Sequence, residues 1–257
     1  MLFIGVATLF LSSGCFDSVE EITVNNSGGG VFVSTADMSN LISMIKTFAG
    51  DKLEGGDKKM EMDTLVNLKD IKDSLENLTT DEKKLLDQAT MKIKMSLKEE
   101  KFSLTFNFPY SHPAEILTIG TILKKTKNQI ITKQMDKMNP EGSSNSAREM
   151  AGLDKEGNSF EVSDYFNFSV KKGYLSKKLN KEKYANAEKD ESLKGLREMS
   201  QMGLNSTMKT IINLPKPAKK AEGKAVKLSS DKKTVTIEGT LDDFFEDASF
   251  FEYEIEY

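Results

Sequence analysis

Apolar and polar positions alternate with a period of two along residues 91–108. Met91, Ile93, Met95 and Leu97 are separated by Lys92, Lys94 and Ser96. After Glu99-Glu100-Lys101 the pattern resumes as Phe102, Leu104, Phe106 and Phe108, with Ser103, Thr105 and Asn107 between. This period predicts two antiparallel strands that bury one face and wet the other. Ile22-Thr23-Val24 and Val31 to Thr35 flank Asn25-Asn26-Ser27-Gly28-Gly29-Gly30, residues that tolerate turn conformations, and read as a second hairpin. Val226 and Leu228, the turn 229–233, and Val235, Ile237 and Leu241 read as a third. Phe251, Tyr253, Ile255 and Tyr257 close the chain as a strand with Glu252, Glu254 and Glu256 outward.

Between these strands the period lengthens. Leu41, Ile42, Met44, Ile45 and Phe48 predict a helix over 39–49. Thr79 and Glu82 have capping-box spacing and open a helix over 80–89. Ile116, Ile119, Leu123 and Ile130 form a stripe that predicts a helix over 114–138. Residues 60–68 read as a further strand, and Phe160 to Val170 as an alternating strand with Asp164 as its odd member. Tyr174 and Leu175 extend the next strand. Lys177 to Gln201, crowded with charge, reads as a solvated helical face. Met208, Ile212 and Leu214 make a strand stopped by Pro215 and Pro217. Residues 139–146 and 153–159 are turn-rich loops within one domain. The fold class expected is α+β: a curved antiparallel sheet packed on one face by several helices, one of them long.

Composition narrows the functions. Charged residues make up 30% of the chain with a net charge of −4, and both signs are interspersed, so there is no basic field for nucleic acid. The chain has one histidine, His112, between Ser111 and Pro113, where helix entry or a turn is its expected role. A single histidine and a single cysteine exclude the usual Ser-His-Asp and Cys-His machines and zinc sites built from several such ligands. Asp242, Asp243, Glu246 and Asp247 lack calcium-loop spacing and suit a solvated helix start. Lys216, Lys219, Lys220 and Lys224 could touch lipid phosphates or form a solvated turn. No cofactor, metal site or catalytic residue is expected.

The start of the chain carries the strongest motif. Leu2 to Leu11 is almost wholly apolar, long enough for the hydrophobic region of a signal peptide and about half of what a spanning helix needs. Leu11-Ser12-Ser13-Gly14-Cys15 resembles the lipobox of bacterial lipoproteins, with Leu at −4 and small residues up to the cysteine. The resemblance implies cleavage before Cys15, diacylglycerol on its sulfur and acylation of the new amino terminus. An ordinary secretory signal, or an apolar start to the domain with a buried free thiol, are the alternatives. Each acyl CH₂ buried contributes about 0.8 kcal/mol, and several chains together anchor durably. Residues 1–15 are then the signal peptide, 16–21 a tether and 22–257 one α+β domain with helical insertions.

The hairpin from Ile22 to Thr35, together with the carboxy-terminal run of strand, prolines, basic turn and Thr-Val-Thr-Ile strand, is similar to the LppM-type domain of some bacterial lipoproteins. That resemblance implies an α+β fold with lipid or glycolipid binding and brings no catalytic residue. The expected protein is a lipid-anchored component of the cell envelope, in the outer membrane of a Gram-negative bacterium. Its expected role is non-catalytic binding of, or scaffolding for, an envelope partner. A lipid-binding or lipid-shuttling protein with a cavity between sheet and helix is the alternative, and a carboxylate-based envelope hydrolase a third.

Overall fold

A computed structural model describes residues 17–40, 61–96, 98–138, 162–187, 193–194, 197–198, 200 and 206–257. Cys15, the helix expected over 39–49 beyond its first two residues, and the loops 139–146 and 153–159 lie outside them.

The chain combines helices with large sheets. Eight strands form one sheet: β1 (Asp17–Val24), β2 (Gly30–Asp37), β3 (Glu61–Asn67), β4 (Thr90–Ser96), β5 (Lys101–Tyr110), β8 (Thr207–Asn213), β10 (Val226–Leu228) and β11 (Thr234–Thr240). Their order is β10-β11-β8-β1-β2-β5-β4-β3. The second sheet has the order β6-β7-β12-β9, from β6 (Phe166–Lys171), β7 (Tyr174–Leu179), β9 (Lys220–Glu222) and β12 (Tyr253–Glu256). Neither the second sheet nor a parallel pairing follows from the alternation. β1 lies parallel to β8, with Ile22 opposite Ile212, so the large sheet is not wholly antiparallel as expected.

One face of the large sheet carries the core. Across it run Phe106, Phe108, Leu104, Ile93, Met91, Phe32, Ile22, Ile212 and Val235, each with 5% or less of its surface exposed. The register aligns them in rows: Phe32 faces Ile22 on one side and Phe108 on the other, and Phe106 faces Met91. Burying side chains of this size contributes about 1.5–3 kcal/mol each. The other face carries Lys92, Lys94, Thr105, Thr35 and Glu21, which follow the polar half of the pattern.

Among the described residues, four helices flank the sheets: α1 (Thr80–Leu86), α2 (Glu115–Met138), α3 (Lys181–Ala185) and α4 (Leu241–Glu246). The capping box read at Thr79 and Glu82 forms. Thr79 N donates to a Glu82 carboxylate oxygen at 2.6 Å, and Glu82 N donates to Thr79 Oγ1 at 3.3 Å. α2 packs on β5, β6 and α1, with Ile116, Ile119, Ile122 and Leu123 buried. Two glycines permit close backbone approaches. A methyl group on Gly30 would lie 1.8 Å from the Thr23 carbonyl oxygen, where β1 and β2 meet. Gly223 has φ +152°, and its Cβ would lie 2.3 Å from the Glu252 carbonyl oxygen as the chain leaves β9 for β10.

Three boundaries correct the expectations. β1 starts at Asp17, so residues 17–21, read as tether, belong to a central strand, and Thr207 N donates to Asp17 Oδ1 at 3.0 Å. Residues 162–165 form a 3-10 turn, and β6 begins at Phe166; this displaces Asp164 from the strand it interrupted. Lys177 to Leu179 complete β7, so the charged face read from Lys177 begins inside a sheet.

Candidate functional site

The inner face of the second sheet holds a charge. Along β7 the inward positions are Leu175, Lys177 and Leu179, and Lys177 stands opposite Tyr253 of β12 and Phe168 of β6. Lys177 is 9% exposed. Its ammonium lies over three phenyl rings, 4.5 Å from the centroid of Phe166, 5.4 Å from Phe168 and 5.9 Å from Phe251. Such contacts contribute about 0.5–2 kcal/mol when desolvated, yet they satisfy none of its three N–H donors.

The large sheet answers with a carboxylate. Glu20 shares the inner parity of β1 with Ile22 and Val24 and faces Ser34 of β2, itself 2% exposed. Burial pushes the Lys177 ammonium below its ordinary value, and the Glu20 charge acts in the opposite direction. Burial, and then the same Glu20 charge, hold the Tyr253 phenol above its ordinary value. Glu20 therefore lies within electrostatic reach of both. Among the described residues, no carboxylate comes within 4.0 Å of Lys177 Nζ.

A second polar region lies on the surface. Lys124 of α2, Asp164, Tyr165, and Glu182, Lys183 and Asn186 at α3 line an open groove of about 480 Å³. Lys124 pairs with Asp164, and Lys183 Nζ donates to the Asp164 carbonyl at 3.3 Å. Behind it the Tyr165 and Tyr184 rings pack on Phe244, with centroids 5.9 and 5.5 Å away. Lys124 and Asp164 thus match each other within the protein.

The residues singled out in the sequence fall elsewhere. His112 sits in the turn before α2, where its backbone N–H, like that of Ser111, donates to the Glu115 carboxylate. Asp243 caps α4 through Thr240, and Asp247 pairs with Lys224. Lys220 pairs with Glu254 and Glu222, whose hydrogen bonds raise its pKa. Two of the four lysines of the basic group are thus neutralised by neighbours. No cluster of three metal-ligating side chains occurs among the described residues, and none of their helices is long and apolar enough to cross a membrane. Sequence reasoning missed Lys177. Its only signal was the run Leu175-Ser176-Lys177-Lys178-Leu179, where period two places a lysine on the apolar side. The chain matches no protein-family model, no curated protein and no solved structure.

Proposed function

We propose that this chain is a lipid-anchored component of a bacterial cell envelope with a non-catalytic binding or scaffold role. The observation that carries the reading is the apolar run Leu2 to Leu11 closed by Ser12-Ser13-Gly14-Cys15. β1 strengthens it. An extended chain spans at most about 3.6 Å per residue, so Asp17 would lie within roughly 7 Å of an anchored Cys15. The end of the large sheet where Asp17 faces Asp37 and Thr207 N meets Asp17 would then stand against the headgroups. The domain would be held closely rather than on a long leash, as suits a scaffold that presents its far end to a partner.

In this reading the large sheet curves over α2. Ile119, Ile122, Phe106 and Phe108 are all fully buried, which favours the scaffold over a lipid carrier with its cavity at that contact. The absence of a basic field argues against nucleic acid as the partner. The test is Cys15→Ala in the native host. The wild-type protein should sediment with membranes and enter the detergent phase, and the variant should move to the soluble fraction or remain unprocessed. An unchanged, fully processed membrane pool for Cys15→Ala would refute the anchor.

A further inference from the structure

We propose that Lys172, Lys216, Lys232 and Lys233, at the far end of the large sheet, form a docking face for an acidic protein partner. This inference deepens the scaffold reading and rests on it for the direction in which that end points.

The face is assembled from turns distant in sequence. Leu214 N donates to the Lys233 carbonyl and Ala218 N to the Lys232 carbonyl, both at 2.8 Å. Lys219 N donates to the Glu256 carbonyl at 2.7 Å, and Tyr257 N to that of Gly173 at 3.1 Å. The β6–β7 turn in turn meets the β1–β2 turn, where a methyl group on Gly28 would lie 3.9 Å from Lys172 Cγ. Backbone hydrogen bonds thus carry one continuous edge from Lys172 through Lys219 and Lys216 to Lys232 and Lys233, and all five residues are exposed.

Its charge is unmatched. Elsewhere Lys72, Lys83, Lys92, Lys124 and Lys178 each pair with a carboxylate. Among the described residues, Lys172, Lys216, Lys232 and Lys233 form no ion pair. Lys219 Nζ donates to the Tyr257 carbonyl oxygen at 3.4 Å. The acids at this end are engaged: Asp231 accepts from Ser229 Oγ and Lys233 N, and Glu115 from the backbone of Ser111 and His112. Glu256 stands opposite Lys220 in the register.

One of these lysines is held at a cost. Lys232 has φ +57°, a left-handed conformation that glycine or asparagine adopts more readily. A strained residue kept at an exposed turn, where a better-suited one would fold as well, points to use.

Position selects the partner. β1 carries eight residues from Asp17 to Val24, so at about 3.3 Å per residue its ends stand roughly 23 Å apart. Charge is screened over about 8 Å at physiological salt. Lysines beyond Val24 therefore do not feel the headgroups under an anchored Cys15, and they face a partner on the other side. An ammonium is a compact point charge, and no arginine stands among these lysines to grip phosphate with a bidentate fork. They suit carboxylates spread over a protein surface. Leu228, the last residue of β10 and 40% exposed, adds an apolar contact beside the turn 229–233, as the centre of a polar-rimmed protein interface requires.

Fluorescence anisotropy of labelled poly-L-glutamate, titrated with the purified full chain carrying Cys15→Ala, tests the face. The expected result is saturable binding that weakens as salt rises. Lys216→Gln, Lys232→Asn and Lys233→Gln together should weaken it at least tenfold, whereas Lys92→Gln with Lys94→Gln, on the polar face of β4, should change it less than twofold. Lys232→Asn alone should bind about threefold more weakly and melt no lower than the parent chain. Absence of binding, or undiminished binding by the folded triple variant, would overturn the proposal. So would binding of phosphatidylglycerol vesicles or duplex DNA that depends on these lysines and is as tight as that of polyglutamate. The chain tested has no anchor, so a negative result refutes the docking face alone, and membrane fractionation judges the anchor separately.

Discussion

Replacing Lys177 with methionine should make the protein more stable, although it removes every contact of a buried side chain's charged end. Moving an ammonium out of water costs several kcal/mol even after relaxation, and the Glu20 carboxylate is too distant to repay this as an ion pair. The rings of Phe166, Phe168 and Phe251 return about 2 kcal/mol. Methionine keeps an unbranched chain of similar reach and packs its thioether on the same rings. The net gain should be about 1–3 kcal/mol, or roughly 2–10 °C in Tm for a domain of this size. The sign of its pH dependence is fixed. The folded Lys177 pKa is lowered from 10.5, so between the two values the unfolded chain binds the extra proton, and wild-type stability rises with pH. The methionine advantage must therefore shrink as pH approaches 10.5. Tyr253, whose folded pKa is raised above 10.0, lowers stability above that pH in both proteins and largely cancels in the difference. Urea denaturation of both proteins from pH 7 to 10 measures the effect. A Lys177→Met protein less stable by more than about 1 kcal/mol, or an advantage that grows with pH, would refute the reasoning.

Four other substitutions probe the scaffold. Phe106, fully buried between Met91 and Ser34 in the register, should cost about 3–5 kcal/mol as Phe106→Ala, with a matching fall in the urea midpoint. Gly30→Ala drives a methyl group into the Thr23 carbonyl oxygen and should abolish the cooperative thermal transition, whereas Leu65→Lys at an exposed position should leave it within about 0.5 kcal/mol. Burial would raise the Glu82 carboxyl, but hydrogen bonds from Lys125 and Thr79 outweigh it and hold the pKa below 4.5. The stability it contributes is complete above the unfolded value and is lost as pH falls through the folded one. Glu82→Ala should lose about 1–2 kcal/mol at pH 7, and the difference from wild type should close in acid titration by circular dichroism.

Local patterns were legible wherever one rule governed the residues. The alternation over 91–108 became β4 and β5 because a half-buried sheet demands period two, and the Thr79–Glu82 spacing became a cap because both partners lie within one turn. The hairpin β1–β2 was read correctly at its turn but five residues short at its start. Ser18 to Glu21 mixes charge with one valine and shows no alternation, yet it continues the ladder to β2 and pairs on its other edge with β8, some 190 residues away in sequence. The same gap hid the second sheet, whose strands β9 and β12 are short and whose partners lie far apart in sequence. Lys177 was invisible for a related reason. A lysine in a charged run reads as solvated unless the neighbouring strand is known to bury that face. The site therefore depended on tertiary pairing, while the anchor motif is contiguous in the sequence.

The central claim is that this domain is tied to an envelope through Cys15. Intact mass analysis of the protein extracted from native membranes tests it most directly. The account predicts a chain beginning at Cys15, heavier than its amino acids by a diacylglyceryl group and an amide-linked acyl chain. A chain that retains residues 1–14, or one with an unmodified Cys15 thiol, would contradict it.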